Sequence, residues 1–391
     1  MTSVKHDCYE ALLADMVGFD TVNHNISGKA DAEAELARYL EEVAGGMGLQ
    51  TRRLPIVGES FNLLVTHEVD ADGPWLLFES HLDTVTVAGM TIEPFVAEIG
   101  EGKITGRGSC DTKGTGAAML WALRRYAESG GGTNVAIAYT IDEEIGKTGV
   151  RTFTGGQLAT LGWRPVGVVI GEPTLLKPVV AHNGIARWKI HTRGVAAHSG
   201  DPAKGRSAIS MMVRVVDAIE QRYVPSLTAS HPLTGKAQCS VNVIRGGVQV
   251  NVIPEFCEIE IDRRVVPGED NATVVPTVER LLEELRGEFP EIEVEQQEPY
   301  LDPPLDPAGG EAFAGAVCGV LKGMGLDGEP AGVYYGTDGS QFSAIGISAV
   351  VLGPGSIEQA HTKDEWLALD QLERGIEVYL NLMCADWRER T

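Results

Sequence analysis

Basic side chains are scarce in this chain of 391 residues: 32 Lys and Arg stand against 55 Asp and Glu, a formal net charge of −23. No run of Lys and Arg interrupts that surplus, so an anionic duplex or membrane surface is repelled along the chain. The balance argues against a general nucleic-acid binder and favours small molecules or cations as ligands. Long hydrophobic runs are missing too. Stretches such as Val166 to Ile170 and Ala349 to Leu352 fall far short of the roughly 20 apolar residues that span a bilayer. The segment Met1 to Leu12 carries Lys5, His6, Asp7 and Glu10 with no apolar core, unlike a secretory signal, and cytoplasmic residence is expected. Cys8, Cys110, Cys239, Cys257, Cys318 and Cys384 lack CxxC pairing and the density of a disulfide framework, and are read as reduced thiols.

Common catalytic signatures are absent as well. Gly106-Arg107-Gly108-Ser109-Cys110-Asp111-Thr112-Lys113 has Thr where Walker A needs Gly before Lys, and its Asp111 would repel phosphates. The same loop lacks the full dinucleotide-binding glycine pattern, which disfavours a nucleotide-binding enzyme. No G-x-S-x-G nucleophile elbow occurs, and His67-Glu68 lacks the second histidine of H-E-x-x-H. Serine hydrolases and zincins are disfavoured.

What is present alternates. Helical periodicity over Asp31 to Met47 and Thr112 to Glu128 is interleaved with strand-like Asn62 to Thr66, Trp75 to Phe78, Val135 to Thr140 and Val166 to Ile170. This predicts an α/β domain with a parallel-leaning sheet covered by helices, the second helix stopped by Gly130 to Gly132. From Gly184 the order becomes strand Ala186 to Thr192, helix Arg206 to Arg222, strands Cys239 to Arg245 and Phe256 to Val265, helix Ala272 to Arg286 and strand Glu291 to Glu295. That βαββαβ order predicts a ferredoxin-like unit, closed by the Pro-rich hinge Asp302 to Pro307 before the α/β pattern resumes. The expected organisation is one α/β domain formed by 1–183 and 300–391, with 184–299 inserted into it.

Acids and histidines cluster just after the predicted strands, where ligand sites gather in α/β sheets. Glu79-Ser80-His81-Leu82-Asp83 follows one strand, and reads either as a polar strand end or as a metal-binding imidazole oriented by a carboxylate. Asp111 opens a helix, as an N-cap or as a ligand. Asp142-Glu143-Glu144 ends another strand; it is either a solvated acidic loop or a metal ligand beside a general base. Glu172 and His361 stand in Gly171-Glu172-Pro173-Thr174 and Gly353-Pro354-Gly355 to His361, each after a further strand. Two histidines and several carboxylates are the mixed N and O donors that suit a pair of zinc-like ions.

Ser80-His81-Leu82-Asp83-Thr84-Val85, Gly106-Arg107-Gly108 with Asp111 and Lys113-Gly114, Asp142-Glu143-Glu144, Gly171-Glu172-Pro173-Thr174 and Gly353-Pro354-Gly355 with Ala360-His361 cover nearly the whole chain. In these motifs the chain resembles the M20 metallopeptidase and deacylase family, and within it most closely the acetylornithine deacetylase branch. The resemblance implies a metallohydrolase domain with a mixed sheet flanked by helices, plus a lid and dimerisation domain of ferredoxin-like form. It implies two zinc ions, with cobalt as a substitute, bridged by Asp111, one site completed by His81 and Glu172 and the other by Glu144 and His361. Glu143 becomes the general base that takes a proton from the attacking water and returns it to the leaving amine. Asp83 orients His81, the lid residue His198 steadies the oxyanion, Arg264 pairs with a substrate carboxylate, and Asn251 adds a polar contact.

The implied activity is cleavage of an N-acyl amino acid, N-acetylornithine in arginine biosynthesis being the leading substrate, by a homodimer paired through the lid. Gly336-Thr337-Asp338-Gly339-Ser340 resembles succinyl-diaminopimelate desuccinylases instead, which keeps a desuccinylase or an M20 dipeptidase or carboxypeptidase open. An inactive metal-binding scaffold is the alternative of another class; the retained Glu143 counts against it. Ser80, Thr86 and Cys110-Asp111-Thr112 depart from the family pattern without removing a ligand.

Overall fold

A computed structural model describes residues 6–388; the first five residues of the amino-terminal segment, Lys5 included, lie outside the described residues. The chain divides into two compact units. One takes 6–180, 307–331 and 337–388, and the other takes Ala181–Asp306 with Gly332–Gly336.

The first unit is built on a mixed sheet of β1 (Gln50–Val57), β2 (Ser60–His67), β3 (Trp75–His81), β4 (Asn134–Thr140), β5 (Pro165–Ile170) and β6 (Ala349–Val351). Their spatial order is β1-β2-β4-β3-β5-β6, after which come the short strands Val179–His182 and Ala331–Val333 that carry the chain out of this unit and back. β4, β3, β5 and β6 run parallel, while β1 and β2 are antiparallel to their neighbours. β3 and β4 are buried along their whole length, as apolar strands covered on both faces are. The cover comes from α1 (Tyr9–Val17), α2 (Ala34–Gly46), α3 (Lys113–Ser129), α4 (Glu311–Gly323) and α5 (Leu369–Cys384), whose Leu12, Leu40, Met119, Phe313 and Tyr379 share one core with Phe78 and Ile137.

Two details of this unit position the site. β3 runs on to His81, beyond the Phe78 at which its apolar pattern stops. Glu79, Ser80 and His81 continue the parallel ladder against Ala138, Tyr139 and Thr140, and the buried polar side chains find partners: Thr140 Oγ1 donates to Glu79 Oε1 at 2.6 Å. α3 packs closely because its second residue is a glycine. A Cβ on Gly114 would stand 2.3 Å from the Ser109 carbonyl oxygen, so only glycine lets the helix follow the Asp111 loop so tightly. The helix ends at Gly130 in the left-handed conformation (φ +71°), the usual glycine stop.

The second unit has the order strand Gly184–Arg193, helix Ala208–Ala218, strands Gln238–Gly246 and Phe256–Val265, helix Val274–Glu288 and strand Glu293–Gln296. The four strands form an antiparallel sheet with the first and third paired at its centre, the ferredoxin-like arrangement. Trp188, Met212, Ile259 and Leu282 lie in its separate core. The helix expected from Arg206 begins at Ala208, where Ser207 Oγ caps it by accepting the Ser210 N–H, and after Ala218 it widens into a π turn over Ile219–Tyr223. No helix among the described residues is long and apolar enough to cross a membrane.

Candidate metal centre and its surroundings

The carboxyl ends of β3, β4, β5 and β6 lie side by side in the parallel part of the sheet. His81 closes β3. Glu143 and Glu144 leave β4 through a turn at Asp142, whose φ of +61° bends the chain. Glu172 follows β5, His361 lies in the loop after β6, and Asp111 sits in the loop that leads into α3. The structure therefore brings together Asp111, His81, Glu143, Glu144, Glu172 and His361, all within the first unit.

Asp111 lies between the two imidazoles. Its Oδ1 stands 3.3 Å from His81 Nε2 and its Oδ2 3.1 Å from His361 Nε2. His81 Nε2 is also 3.8 Å from Glu172 Oε1, and His361 Nε2 is 3.1 Å from Glu144 Oε1. Two overlapping donor sets result: His81, Asp111 and Glu144, and His81, Glu143 and Glu172, each with donor atoms within 4.8 Å of one another. Glu143 differs from Glu144 in its neighbour, because Lys147 Nζ lies 3.4 Å from its Oε1.

The electrostatics call for positive charge. Burial pushes Glu172 well above the ordinary carboxylate range, with Asp111 adding to the shift, and burial likewise lifts Glu144 to about 7. Burial raises Glu143 as well, against the pull of Lys147. Asp111 moves the other way: burial opposes its charge, but the two imidazoles hold it below its usual value. The bonds to Asp111 and Glu144 push His361 up to about 11, and His81 rises despite its burial through Asp111 and Asp83. Glu144 and Glu172, packed beside Asp111, are thus the carboxylates for which added positive charge would favour the anionic form. Asp111 Oδ1, buried and without a hydrogen bond of its own, is one atom left for a cation to take. Imidazole and carboxylate donors in this arrangement fit divalent ions of the zinc class.

Buried side chains hold this cluster in place: the expected Asp83, and Glu365 and Asn23, to which the motifs did not point. The Glu365 carboxylate accepts the N–H groups of Gly108, Cys110 and Asp111, each at 2.9 Å, and the Arg107 guanidinium at 2.7 Å. It fixes the backbone that presents Asp111. The Asp83 carboxylate accepts the N–H of Glu143 at 2.9 Å and of Glu144 at 3.2 Å, and its main-chain oxygen lies 3.0 Å from His81 Nδ1. Asp83 therefore joins the end of β3 to the Glu143 turn, its carboxylate standing 3.5 Å from His81 Nδ1. Asn23, fully buried, uses its two amide protons on Asp83 Oδ2 and Asp142 Oδ1, both at 2.8 Å. The bonded groups are far apart in sequence, so no local spacing signals them; the acidic run Asp364-Glu365 near His361 was the one visible hint.

The remaining expected residues belong to the second unit. His198, exposed, pairs with Val252 across a two-residue ladder, and its Nδ1 accepts the Gly200 N–H. Asn251 adjoins that ladder and its carbonyl accepts the Ser199 N–H at 3.0 Å, so these two stand together. Arg264 lies on the antiparallel sheet of this unit, in the strand Phe256–Val265, with its Nε 2.7 Å from Asp262 Oδ1. Its neighbour Arg263 is buried against Glu269.

The sequence matches the model of peptidase family M20/M25/M40 over residues 77–385. The chain belongs to that family. This M20 chain is a metal-dependent hydrolase of amide bonds. It is 31% identical over 352 residues to an acetylornithine deacetylase of Proteus mirabilis, and 30% identical over 346 residues to one of Edwardsiella ictaluri. Each match covers 86% of this chain and 85% of the relative. In structure it is similar to a tripeptidase from Staphylococcus aureus, with a TM-score of 0.78 over 98% of both chains at 19% identity, a likeness of fold.

Proposed function

We propose that this M20 hydrolase releases an amino acid from its N-acyl form, with N-acetylornithine as substrate, a step of arginine biosynthesis. The observation that carries the reading is the 30–31% identity to two acetylornithine deacetylases over most of both chains. The desuccinylase-like loop does not weigh against it: Thr337 and Asp338 are buried, and Asp338 faces Lys147 and Thr140.

Two divalent ions, zinc with cobalt as a substitute, would be held with Asp111 between them, His81 and Glu172 on one side and Glu144 and His361 on the other. Ions held there would supply Lewis-acid polarisation of the amide carbonyl and would make water a better nucleophile. Glu143 accepts the proton of the attacking water and delivers it to the nitrogen of the breaking C–N bond, leaving a carboxylic acid and a free amine. Asp83 keeps His81 and the Glu143 turn in register. From the second unit, His198 supports the developing oxyanion, Arg264 takes the substrate carboxylate in a guanidinium fork, and Asn251 adds a polar contact.

The second unit serves as a lid and as the surface of a homodimer. Supporting that reading, Gln238–Gly246 is an edge strand with Ile244 exposed, and Ile209 and Val213 on the helix Ala208–Ala218 are exposed as well. The six cysteines are free thiols, which suits a reducing, cytoplasmic setting.

A panel of N-acetylornithine, N-succinyl-diaminopimelate and dipeptides, assayed with zinc and with cobalt, tests the substrate through kcat/KM. Preference for N-acetylornithine by a factor of ten or more is expected. A higher kcat/KM on the succinylated substrate or a dipeptide would replace the deacetylase reading by that activity.

A further inference from the structure

The turn that presents Glu143 also presents Lys147, four residues on. Lys147 is 5% exposed and has a φ of +55°, and its main-chain N–H closes the turn on the Asp142 carbonyl. Its ammonium lies between two carboxylates. On one side is Glu143 Oε1 at 3.4 Å, and on the other is Asp338 Oδ1 at 4.0 Å. Asp338 is 1% exposed, and that same Oδ1 makes no hydrogen bond. Its Oδ2 lies 3.4 Å from Thr140 Oγ1, the hydroxyl that donates to Glu79. A line of buried polar groups therefore runs from the last residue of β4, through Asp338 and Lys147, to Glu143.

The chemistry asks something specific of Glu143. A group that first takes a proton and then gives it back must keep its carboxylate aimed at two atoms in turn, and a glutamate has three side-chain torsions to lose. Small misalignments of a proton-transfer group cost large factors in rate. A lysine is itself a long and flexible partner, so it restrains Glu143 only if its ammonium is held from the other side. Asp338 provides that hold, and neither residue belongs to the donor sets around Asp111.

We propose that Lys147 is a positioning residue for the hydrolytic step, holding the Glu143 carboxylate in its working orientation while Asp338 anchors the ammonium. The proposal rests on the reading of Glu143 as general base.

The test compares Lys147→Met, Lys147→Arg and Asp338→Asn in the metal-loaded enzyme, each also combined with Glu143→Gln. Lys147→Met is expected to lower kcat roughly 10- to 100-fold with KM within about twofold of wild type and bound metal unchanged. Lys147→Arg recovers part of the loss, and Asp338→Asn gives a smaller fall of the same kind. In the Glu143→Gln background none of the three lowers kcat further. Wild-type kcat in both Lys147→Met and Asp338→Asn overturns the positioning role, as does an equal loss in the Glu143→Gln background or a loss that tracks missing metal. Asp338→Asn, nearly the same size as the native side chain, carries the test if Lys147→Met does not fold. Glu143→Gln alone with wild-type turnover refutes the base reading itself, an outcome distinct from a silent Lys147.

Discussion

The Glu365 carboxylate receives the main-chain N–H of Asp111 at 2.9 Å, so an acid near the end of the chain fixes the backbone of one 254 residues earlier. The same carboxylate neutralises the buried Arg107. Removing it leaves the Arg107 charge without its carboxylate and strands three N–H groups at once. Glu365→Ala is expected to lower stability by about 3–5 kcal/mol, the usual cost of breaking a buried ion pair on one side. Because the loop it holds carries Asp111, the variant also releases metal more readily on dialysis. Thermal unfolding and metal analysis check both; unchanged Tm together with unchanged metal content would show that the loop supports itself.

Metal removal should act on activity and on folding together. The folded chain gathers the five proposed ligands and the unfolded chain does not, so bound ions would stabilise the native state by mass action. Chelation is expected to abolish hydrolysis and lower Tm, with zinc or cobalt restoring both at near two ions per chain. Full hydrolytic activity in rigorously metal-free protein would refute the metal assignment.

These supports differ from the cluster they hold in how they are encoded. His81, Glu143, Glu144 and Glu172 stand out in the sequence because each follows an apolar strand, and strands declare themselves by local pattern. Once β3, β4 and β5 are parallel neighbours, their ends meet whatever else the chain does. Glu365, Asn23 and Lys147 carry no such mark. Glu365 is one acid in a polar loop, Asn23 precedes a short helix, and their bonds depend on how distant segments pack. The extension of β3 to His81 was hidden for a related reason: Glu79 and Ser80 are polar, and only their partners Thr140 and Thr112 make them tolerable in a buried strand.

Glu33 offers a test of the ground beneath the Asp83 turn by pH. Burial, reinforced by Asp83 and Asp142, pushes its carboxyl up to about 8 from an ordinary 4.5. A carboxyl raised on folding favours the native state while it is protonated, so its contribution is complete below pH 4.5 and is lost as pH rises towards 8. Glu33→Gln stays neutral throughout. The unfolding free energy of the variant relative to wild type should therefore climb between pH 5 and pH 8, by up to about 1 kcal/mol per pH unit. Denaturant titrations across that range decide the matter, and a difference flat in pH would show that Glu33 is charged in the native state.

The homodimer reading makes a prediction about where His198 acts. It is exposed on its two-residue ladder and accepts the Gly200 N–H at Nδ1. If it serves the centre of the partner chain, neither His198→Ala nor Glu143→Gln homodimers turn over well, yet mixing them restores activity. Each heterodimer then has one site with both Glu143 and the partner's contribution and one site with neither. Random reassortment of equal amounts makes half the molecules heterodimers, so about a quarter of all sites revive. Action within one chain predicts no recovery, since every site in the mixture lacks one of the two groups. Exchange of chains is verified by pull-down with two different tags. Exchanged dimers that stay inactive would reject the trans role of His198 and leave the metal centre, which lies wholly within the first unit, untouched.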